Sequence, residues 1–598
     1  MSDFLLDMRP PPCRALNRAA EQLRFGERTI ALVVDRPDFG LVITFTGDAA
    51  LWAPYYATSG SLVAVAGRPV FDDEEWAQGL ADEGRGGLAA RIIQARYHRQ
   101  GTVALESLNG NCAVVVHDAT RRCLHLVTDR CGVFPTFETD TPDGRLYSSH
   151  PDVLASAAHE HHRIDELSLA EFILTGTVTP PFSYFQRIRA SQHATIHSID
   201  LTRAHGTPVK QRYFTFAYRG SSHVREDELA NQLAGALQRA VRRRTLPRLG
   251  PSAVALSGGL DSRVVLASSA NGGQTVAFCC YDEPNRELRT AEAIARTLSV
   301  PFVPMQRGAD YYADHAEDGV RISGGMGSLA NNHFLGVLPR LQREGVEGLL
   351  TGCYCDYLFK GLPLNRRAHW LTRRETLAPF RHEFYFDHVA APTPLAERAR
   401  ERWESRVPRR FQAQDSASAV FEVEARRTFP LCYEGDNQQR LVPQRITGWS
   451  PPFVDRDVMN VYLRLPYNLK LNRSIFRKVV TALTPRLGAI PDANTGAPPH
   501  SSQVTEIVHS NQLRLQRAWR RLHRLPASDE SWPDWTHAVT EGGKLDALWR
   551  RPNPEAMDLF RRVLGTGGTA DHLEAVKQKR PFLFLGLLTV KLWMDQRA

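Results

Sequence analysis

VALSGGLDSRVVLA, residues 254–267, sets two glycines, two hydroxyls and an acid between two apolar runs. The first run reads as a buried strand and the second as the opening of a helix. A loop at that junction has a particular chemistry. Glycines let the backbone turn tightly and approach a ligand closely. Successive amides at the start of a helix form an anion site that the helix dipole favours. The hydroxyls of Ser257 and Ser262 add donors for phosphate oxygens, and Leu256, Gly258, Gly259 and Leu260 complete the cradle. Asp261 would repel a bare phosphate, so its presence implies a bridging divalent cation, magnesium by its taste for carboxylate and phosphate oxygens. The plain alternative is an ordinary β-turn-α connection. The loop is not a Walker A motif, because it lacks the G-K-[ST] ending. Arg263 follows directly and either lines the phosphate site or points away from it.

Working outward, strand and helix signals alternate downstream of residue 219. Leu229, Leu233, Ala236, Leu237, Ala240 and Val241 recur at helical spacing, with acids at 226–228 and arginines at 242–244 matching the helix dipole. After the loop come TVAFCCYD (275–282), RTAEAIARTL (289–298) and FVPMQ (302–306), read as strand, helix and strand. That alternation predicts a parallel sheet flanked by helices. Upstream the pattern differs. ERTIALVVD (27–35), GLVITFTG (40–47), SLVAVAGRPVF (61–71), NCAVVVHD (111–118) and CLHLVTD (123–129) are short strands between turns, with a helical pattern over 88–97. They predict an α+β domain on antiparallel sheets. The boundary falls at RGSSH (219–223), dividing the chain into 1–218, 219–500 and a helical, Arg- and Trp-rich extension over 501–598.

The bulk numbers set limits. A chain of 598 residues exceeds one core and needs at least two domains. With 42% hydrophobic and 23% charged residues it has the composition of a soluble globular protein. It has no apolar run of ~18 residues that would span a bilayer. The start, MSDFLLDMRPPPCRAL, lacks the basic end and long apolar run of a signal peptide, so the cytoplasm is the expected compartment. Nine cysteines without C-x-x-C spacing read as reduced thiols. The net charge of +9 gathers at 242–244, 366–367 and 512–525. These clusters are solvated helix faces or a surface for an anionic substrate such as a nucleotide or an acidic peptide. No reader motif accompanies them, so a nucleic-acid partner is the weaker reading and none is expected.

The loop 257–262 resembles the pyrophosphate-binding loop of the ATP-pyrophosphatase superfamily, whose members split ATP to AMP and pyrophosphate. Three further stretches are similar to the asparagine synthetase-like family. LNGNCAVVVHDATRRCLHLVTDRCGVFPTF (108–137) carries Asp129, Arg130, Gly132 and Pro135 where that family's N-terminal domain has its aspartate–arginine–x–glycine–x–x–proline pattern. LLTGCYCDYLFKG (349–361) matches at Gly352, Asp356, Phe359 and Gly361. SPPFVDRDVMNVYLRLPYNLKLNRSIFRKVV (450–480) matches at Pro452, Phe453, Asp455, Leu465, Pro466, Lys470 and Lys478. The resemblance implies an Ntn-hydrolase-like sandwich followed by an α/β ATP-pyrophosphatase domain. It implies ATP and magnesium over residues 256–262 and Gly352, with Asp261 and Asp356 as metal ligands and Lys478 facing phosphate.

The departures are equally informative. The family's glutaminases begin, after Met removal, with a nucleophilic cysteine. Here position 2 is Ser2, and the first cysteine is Cys13, which would serve only in a chain processed to begin there. AVAGRPVF (64–71) stands in place of the element that holds glutamine. The β-lactam synthetases and the lasso peptide macrolactam synthetases resemble this chain in that loss. They adenylate a carboxylate and let an internal amine displace AMP. Position 353 is a cysteine where the asparagine synthetases have a glutamate and the β-lactam synthetases a tyrosine, and Tyr354 lies one place off. A β-lactam-type base pair would need a tyrosine at the earlier position, with Glu434 or Asp436 as its partner, so Tyr354, Glu434 and Asp436 stand as candidates. Cys353 is either a packing residue or a substrate-facing one. Asn494 stands where the family carries a lysine, which leaves Lys478 or Arg263 to stabilise the phosphate charge. The reading is an amide-forming ligase whose substrate is a peptide closed into a macrolactam, with a precursor peptide and a leader peptidase as partners. A ligase taking ammonia or a small-molecule amine and carboxylate, and a nucleotide-binding scaffold without catalysis, are the alternatives.

Overall fold

Alternation along the strand Ser61–Pro69 sends Leu62, Ala64 and Ala66 to one face and Val63 and Val65 to the other, and both faces are buried. A strand buried on both sides needs a layer on each. The computed structural model supplies them, describing residues 3–26, 28–80, 86–203, 206–220, 225–269, 274–369, 374–378, 389, 393–406, 416–483, 485–523, 533, 535–539, 543–565 and 570–597. Ser61–Pro69 lies in a six-stranded antiparallel sheet ordered Val209–Arg212, Thr195–Asp200, Cys123–Val127, Gly110–Asp118, Ser61–Pro69 and Tyr55–Ala57. Its inner face meets Phe4, Leu6, Leu41 and Ile43 of a second six-stranded sheet. Its outer face packs on Leu88, Ile92 and Ile93 of the helix Leu88–Gln100. The second sheet buries Leu5, Val42 and Leu146 outward under the helices Leu16–Gln22, Pro151–Ala157 and Glu166–Thr175. The product is a helix–sheet–sheet–helix sandwich, the expected α+β domain.

The strand Phe4–Asp7 lies between Gly40–Phe45 and Gly144–Ser148 in that second sheet. A chain trimmed to begin at Cys13 would lose this inner strand. Cys13 instead closes the turn Pro11–Cys13. Ser2 lies outside the described residues.

The second domain is built on a parallel sheet in the order Phe302–Gln306, Thr275–Tyr281, Ser252–Ala255, Gly348–Leu350. The chain leaves Ser252–Ala255 toward one edge and returns on its other side as Gly348–Leu350. Ligands bind at such a reversal, beyond the carboxyl ends of the strands. Both loops of interest, 256–259 and 351–354, leave those two neighbouring strand ends. The helices Glu226–Arg242, Leu260–Ser269 and Ser474–Leu483 pack together against the sheet.

The C-terminal helix Pro581–Asp595 is apolar nearly all round because both domains cover it. Its Trp593 ring sits 4.8 Å from Tyr184 and donates to Asp152 at 3.1 Å, while Thr589 Oγ1 accepts the Leu329 amide at 3.0 Å. Among the described residues no helix is long and apolar enough to cross a membrane. All nine cysteines are free thiols.

Candidate active site

Within the loop the hydroxyls are tied to the backbone and to each other. The Ser257 amide donates to Ser262 Oγ at 3.0 Å, the two hydroxyl oxygens lie 3.1 Å apart, and the Gly259 amide donates to Ser257 Oγ at 3.3 Å. Amides and hydroxyls at the start of the helix Leu260–Ser269 form a concave donor set suited to phosphate oxygens. The two glycines serve different ends. A Cβ on Gly258 would lie 2.3 Å from the Cβ of Ala493, so this glycine admits the neighbouring turn of the protein. A Cβ on Gly259 would meet nothing nearer than Ser257 Oγ at 3.4 Å and Asn494 Nδ2 at 3.5 Å. Asn494 therefore stands beside the loop, but it brings no charge there.

Arg263 points away from the phosphate site. Its side chain is fully buried, and its guanidinium donates to the carbonyls of Leu487, Ile490, Pro491 and Gly258 at 2.7–3.3 Å. It staples the segment 487–491 to the back of the loop. Burial lowers its pKa to about 10, so the charge survives at neutral pH.

Lys478 is a correction to the sequence reading. The helix Ser474–Leu483 buries Ile475, Phe476, Val479 and Val480, which turns Lys478 to the opposite face. There it pairs with Asp227 at 2.7 Å and Glu226 at 3.4 Å, where acids open the helix Glu226–Arg242. It is not among the residues that line the cavity at the loop. The lysine beside the loop is Lys360, one turn after Asp356; it is not in the cavity lining itself but touches two carboxylates that are. Its side chain is nine-tenths buried, and its ammonium contacts Asp261 Oδ1 and lies 3.0 Å from Asp356 Oδ1. Burial pushes the Lys360 pKa down, but the two carboxylates outweigh it and the net shift is upward. Burial raises Asp261 to about 6, with Asp356 adding to the rise and Lys360 opposing it. The sequence signal was the spacing Asp356 to Lys360, four apart on a helix.

Two carboxylates converging on one point beside a phosphate loop are the donors a magnesium ion shares with phosphate oxygens. Asp261 and Asp356 fit that ion, with Lys360 in competition for the same oxygens. Among the described residues no three His, Cys, Asp or Glu side chains form a metal cluster of their own.

Gly352 holds the two loops together. A Cβ there would sit 2.6 Å from Asp261 Cβ and 2.9 Å from the Ser262 amide nitrogen, both parts that cannot swing aside. Gly352→Ala is expected to cost about 1–3 kcal/mol by overpacking. A lowered unfolding midpoint together with weakened binding of a fluorescent ATP analogue would check this.

The next residues build a second polar cluster. Tyr354 takes the left-handed backbone, φ +72°, and starts the helix Cys355–Phe359. Its ring packs 6.0 Å from Trp449 and 4.8 Å from the Arg440 guanidinium. The expected partnership of Tyr354 with Glu434 is replaced by one with Tyr357, whose hydroxyl donates to Glu434 Oε2 at 2.6 Å. Arg440 Nη1 donates to Glu434 Oε1, and the Asp436 amide donates to Oε2 at 2.8 Å. Asp436 keeps its carboxylate half-exposed, 3.8 Å from Arg440. Burial raises the Glu434 pKa to about 7 despite Arg440. Tyr357 and Arg440 carried no sequence signal beyond lying in the stretches that hold Asp356 and Glu434.

All of this opens on one cavity of about 840 Å³. Leu256, Ser257, Asp261, Ser262 and Gly352 line it, and so do Cys353, Tyr354, Asp356, Tyr357, Asp436 and Arg440. Cys353 is thus a wall residue. Leu362, Arg517, Pro533, Trp535, Pro581 and Phe582 also line it, four of them from well beyond residue 520.

A loop of amides and hydroxyls at a strand reversal, behind an antiparallel sandwich, is compatible with an ATP-dependent amide-forming ligase, and the family match supports that class. Residues 232–489 match the family model for asparagine synthase, and residues 83–214 match that for the glutamine amidotransferase domain. Over those two stretches the chain is similar to asparagine synthase and glutamine amidotransferase domains. No curated protein matches it. Among solved structures, that of the allosteric regulatory enzyme of purine biosynthesis aligns at 8% identity with a TM-score of 0.26, covering 52% of this chain and 80% of that one. Glutamine phosphoribosylpyrophosphate amidotransferase from B. subtilis, complexed with ADP and GMP, aligns at 10% identity with a TM-score of 0.25, covering 59% and 74%.

Proposed function

We propose that this ligase adenylates a carboxylate of a peptide and closes it onto an amine of the same peptide, giving a macrolactam. One observation carries the reading: the phosphate loop and Tyr357, hydrogen-bonded to Glu434, line the same cavity. A carboxylate oxygen attacks the α-phosphorus of ATP and pyrophosphate leaves into the loop amides. The amine nitrogen then attacks the acyl carbon, AMP departs, and the amine's proton passes through the Tyr357 hydroxyl to Glu434. The loop acts through pre-aimed donors, which stabilise developing charge without reorganising. Asp261 and Asp356 would hold magnesium, which supplies charge neutralisation on the leaving pyrophosphate. The wall over the cavity, with Trp535, Phe582 and Arg517, suits a substrate longer than a free amino acid and partly acidic. A precursor peptide, the peptidase that trims it and a cytoplasmic setting go with this reading.

The test is release of AMP and pyrophosphate with peptides bearing an Asp or Glu side chain and a free N-terminus, against aspartate with ammonia or glutamine. Turnover with a peptide, and a product lighter by one water, supports the reading. Turnover with aspartate and ammonia overturns it.

A further inference from the structure

The carboxylates assigned to the metal already hold a cation. Lys360 contacts Asp261 Oδ1 and reaches Asp356 Oδ1 at 3.0 Å. The lysine is delivered by the helix Cys355–Phe359, whose C-terminal cap it forms, so its backbone sits one turn from Asp356 and cannot drift off. Its ammonium also lies over the Phe476 ring, 5.7 Å from the centroid. Only about a tenth of its side chain meets solvent, so leaving the carboxylates would strand the charge unless another anion replaced them.

We propose that Lys360 is the resident counter-ion of the Asp261–Asp356 pair, and that it keeps a divalent metal off these carboxylates until a triphosphate arrives. The physical reason is competition. A metal ion arriving alone must displace a buried ammonium and leave it unpaired, which is strongly unfavourable for a charge held away from water. A metal ion arriving with a polyphosphate brings new oxygens that receive the ammonium. Binding of metal and nucleotide is thereby coupled, and by linkage each raises the affinity of the other. Lys360 is a positioning residue in this scheme. The inference rests on the ligase reading only in taking a nucleotide triphosphate as the ligand of the loop.

Manganese(II) is the probe, titrated into the full-length protein and followed by electron paramagnetic resonance, without nucleotide and then with a non-hydrolysable ATP analogue. For the wild type, affinity without nucleotide is expected to be weak and to rise at least tenfold with the analogue. For Lys360→Met, affinity without nucleotide is expected to rise at least tenfold over the wild type, and Asp356→Asn in that background should abolish the gain. Melting temperature gives a second reading, because Lys360→Met leaves the carboxylates facing each other. Manganese should raise its midpoint and leave the wild type's unchanged. Equal manganese affinity in both proteins without nucleotide overturns the role of Lys360 and leaves the ligase reading standing. No manganese binding in either protein, even with the analogue, overturns both the metal assignment and the inference.

Discussion

Glu434→Gln is expected to slow amide closure by about 10²- to 10⁴-fold, the usual contribution of a positioned general base. The substitution keeps the shape of the side chain but only one acceptor oxygen, for Arg440 at the Oε1 place or for Tyr357 and the Asp436 amide at the Oε2 place, so it is the split between exchange and closure that reports proton transfer. Adenylation needs no proton acceptor, and ATP–pyrophosphate exchange in the presence of peptide should fall far less than cyclisation. Tyr357→Phe removes the hydroxyl that faces the cavity and should follow the same split. The pH dependence has a defined sign. Glu434 must be ionised to accept the proton, and burial raises its pKa to about 7. Closure should therefore lose rate as pH falls through about 7, and the Gln variant should lack that limb. If exchange and closure fall together, Glu434 serves substrate binding and the proton-relay assignment fails.

The loop was legible as a candidate because phosphate binding imposes a local pattern, and it lies where the sequence put it, between the strand Ser252–Ala255 and the helix Leu260–Ser269. A short hydroxyl-glycine-acid run between a strand and a helix admits few other uses. Side chains brought in by packing were harder to place. Lys478 and Lys360 both lie in matched stretches, yet only one reaches the loop. The apolar stripe of Ile475, Phe476, Val479 and Val480 already held the answer, since it turns Lys478 to solvent. Tyr354 and Tyr357 present a different problem. Which tyrosine meets Glu434 depends on the left-handed backbone at Tyr354, a conformation rare for a bulky residue and without a sequence signature. The strand Phe4–Asp7 was missed because four residues are too few to show a period. Its inner place in the sheet is conferred by partners at 40–43 and 146–148.

Asp455→Ala carries the largest expected loss of stability, about 3–5 kcal/mol for breaking a buried pair and leaving a charge behind. Asp455 is fully buried and accepts from Arg244 at 2.8 Å, Arg243 at 3.1 Å and Asn109 Nδ2 at 2.9 Å. It also caps the helix Arg456–Tyr462 through the Asp457 amide at 3.1 Å. Arg244 has almost no exposed side chain, so its charge finds no water when the carboxylate is removed. Asp455→Asn keeps the cap and the size but not the charge, and should lose less. The pH sign follows from the net downward shift: burial raises the Asp455 pKa, but Arg244, Arg243 and Asn109 outweigh it. A depressed carboxylate contributes stability that is present above its unfolded value near 3.8 and lost as pH falls through the folded value. Asp455→Ala should thus narrow the gap to the wild type only in acid. The effect also reaches the active site. Arg244 Nε donates to Ser450 Oγ at 2.9 Å, and the Ser450 amide donates to Leu349 at 2.9 Å, in the strand that leads to Gly352. Asn109 belongs to the sandwich, so one carboxylate ties both domains to that strand. Denaturation followed by two probes, tryptophan fluorescence and binding of an ATP analogue, distinguishes the possibilities. Loss of nucleotide binding at the same denaturant concentration as global unfolding is the expected result. Nucleotide binding that outlasts unfolding of the sandwich would show that the domains part independently and that Asp455 does not couple them.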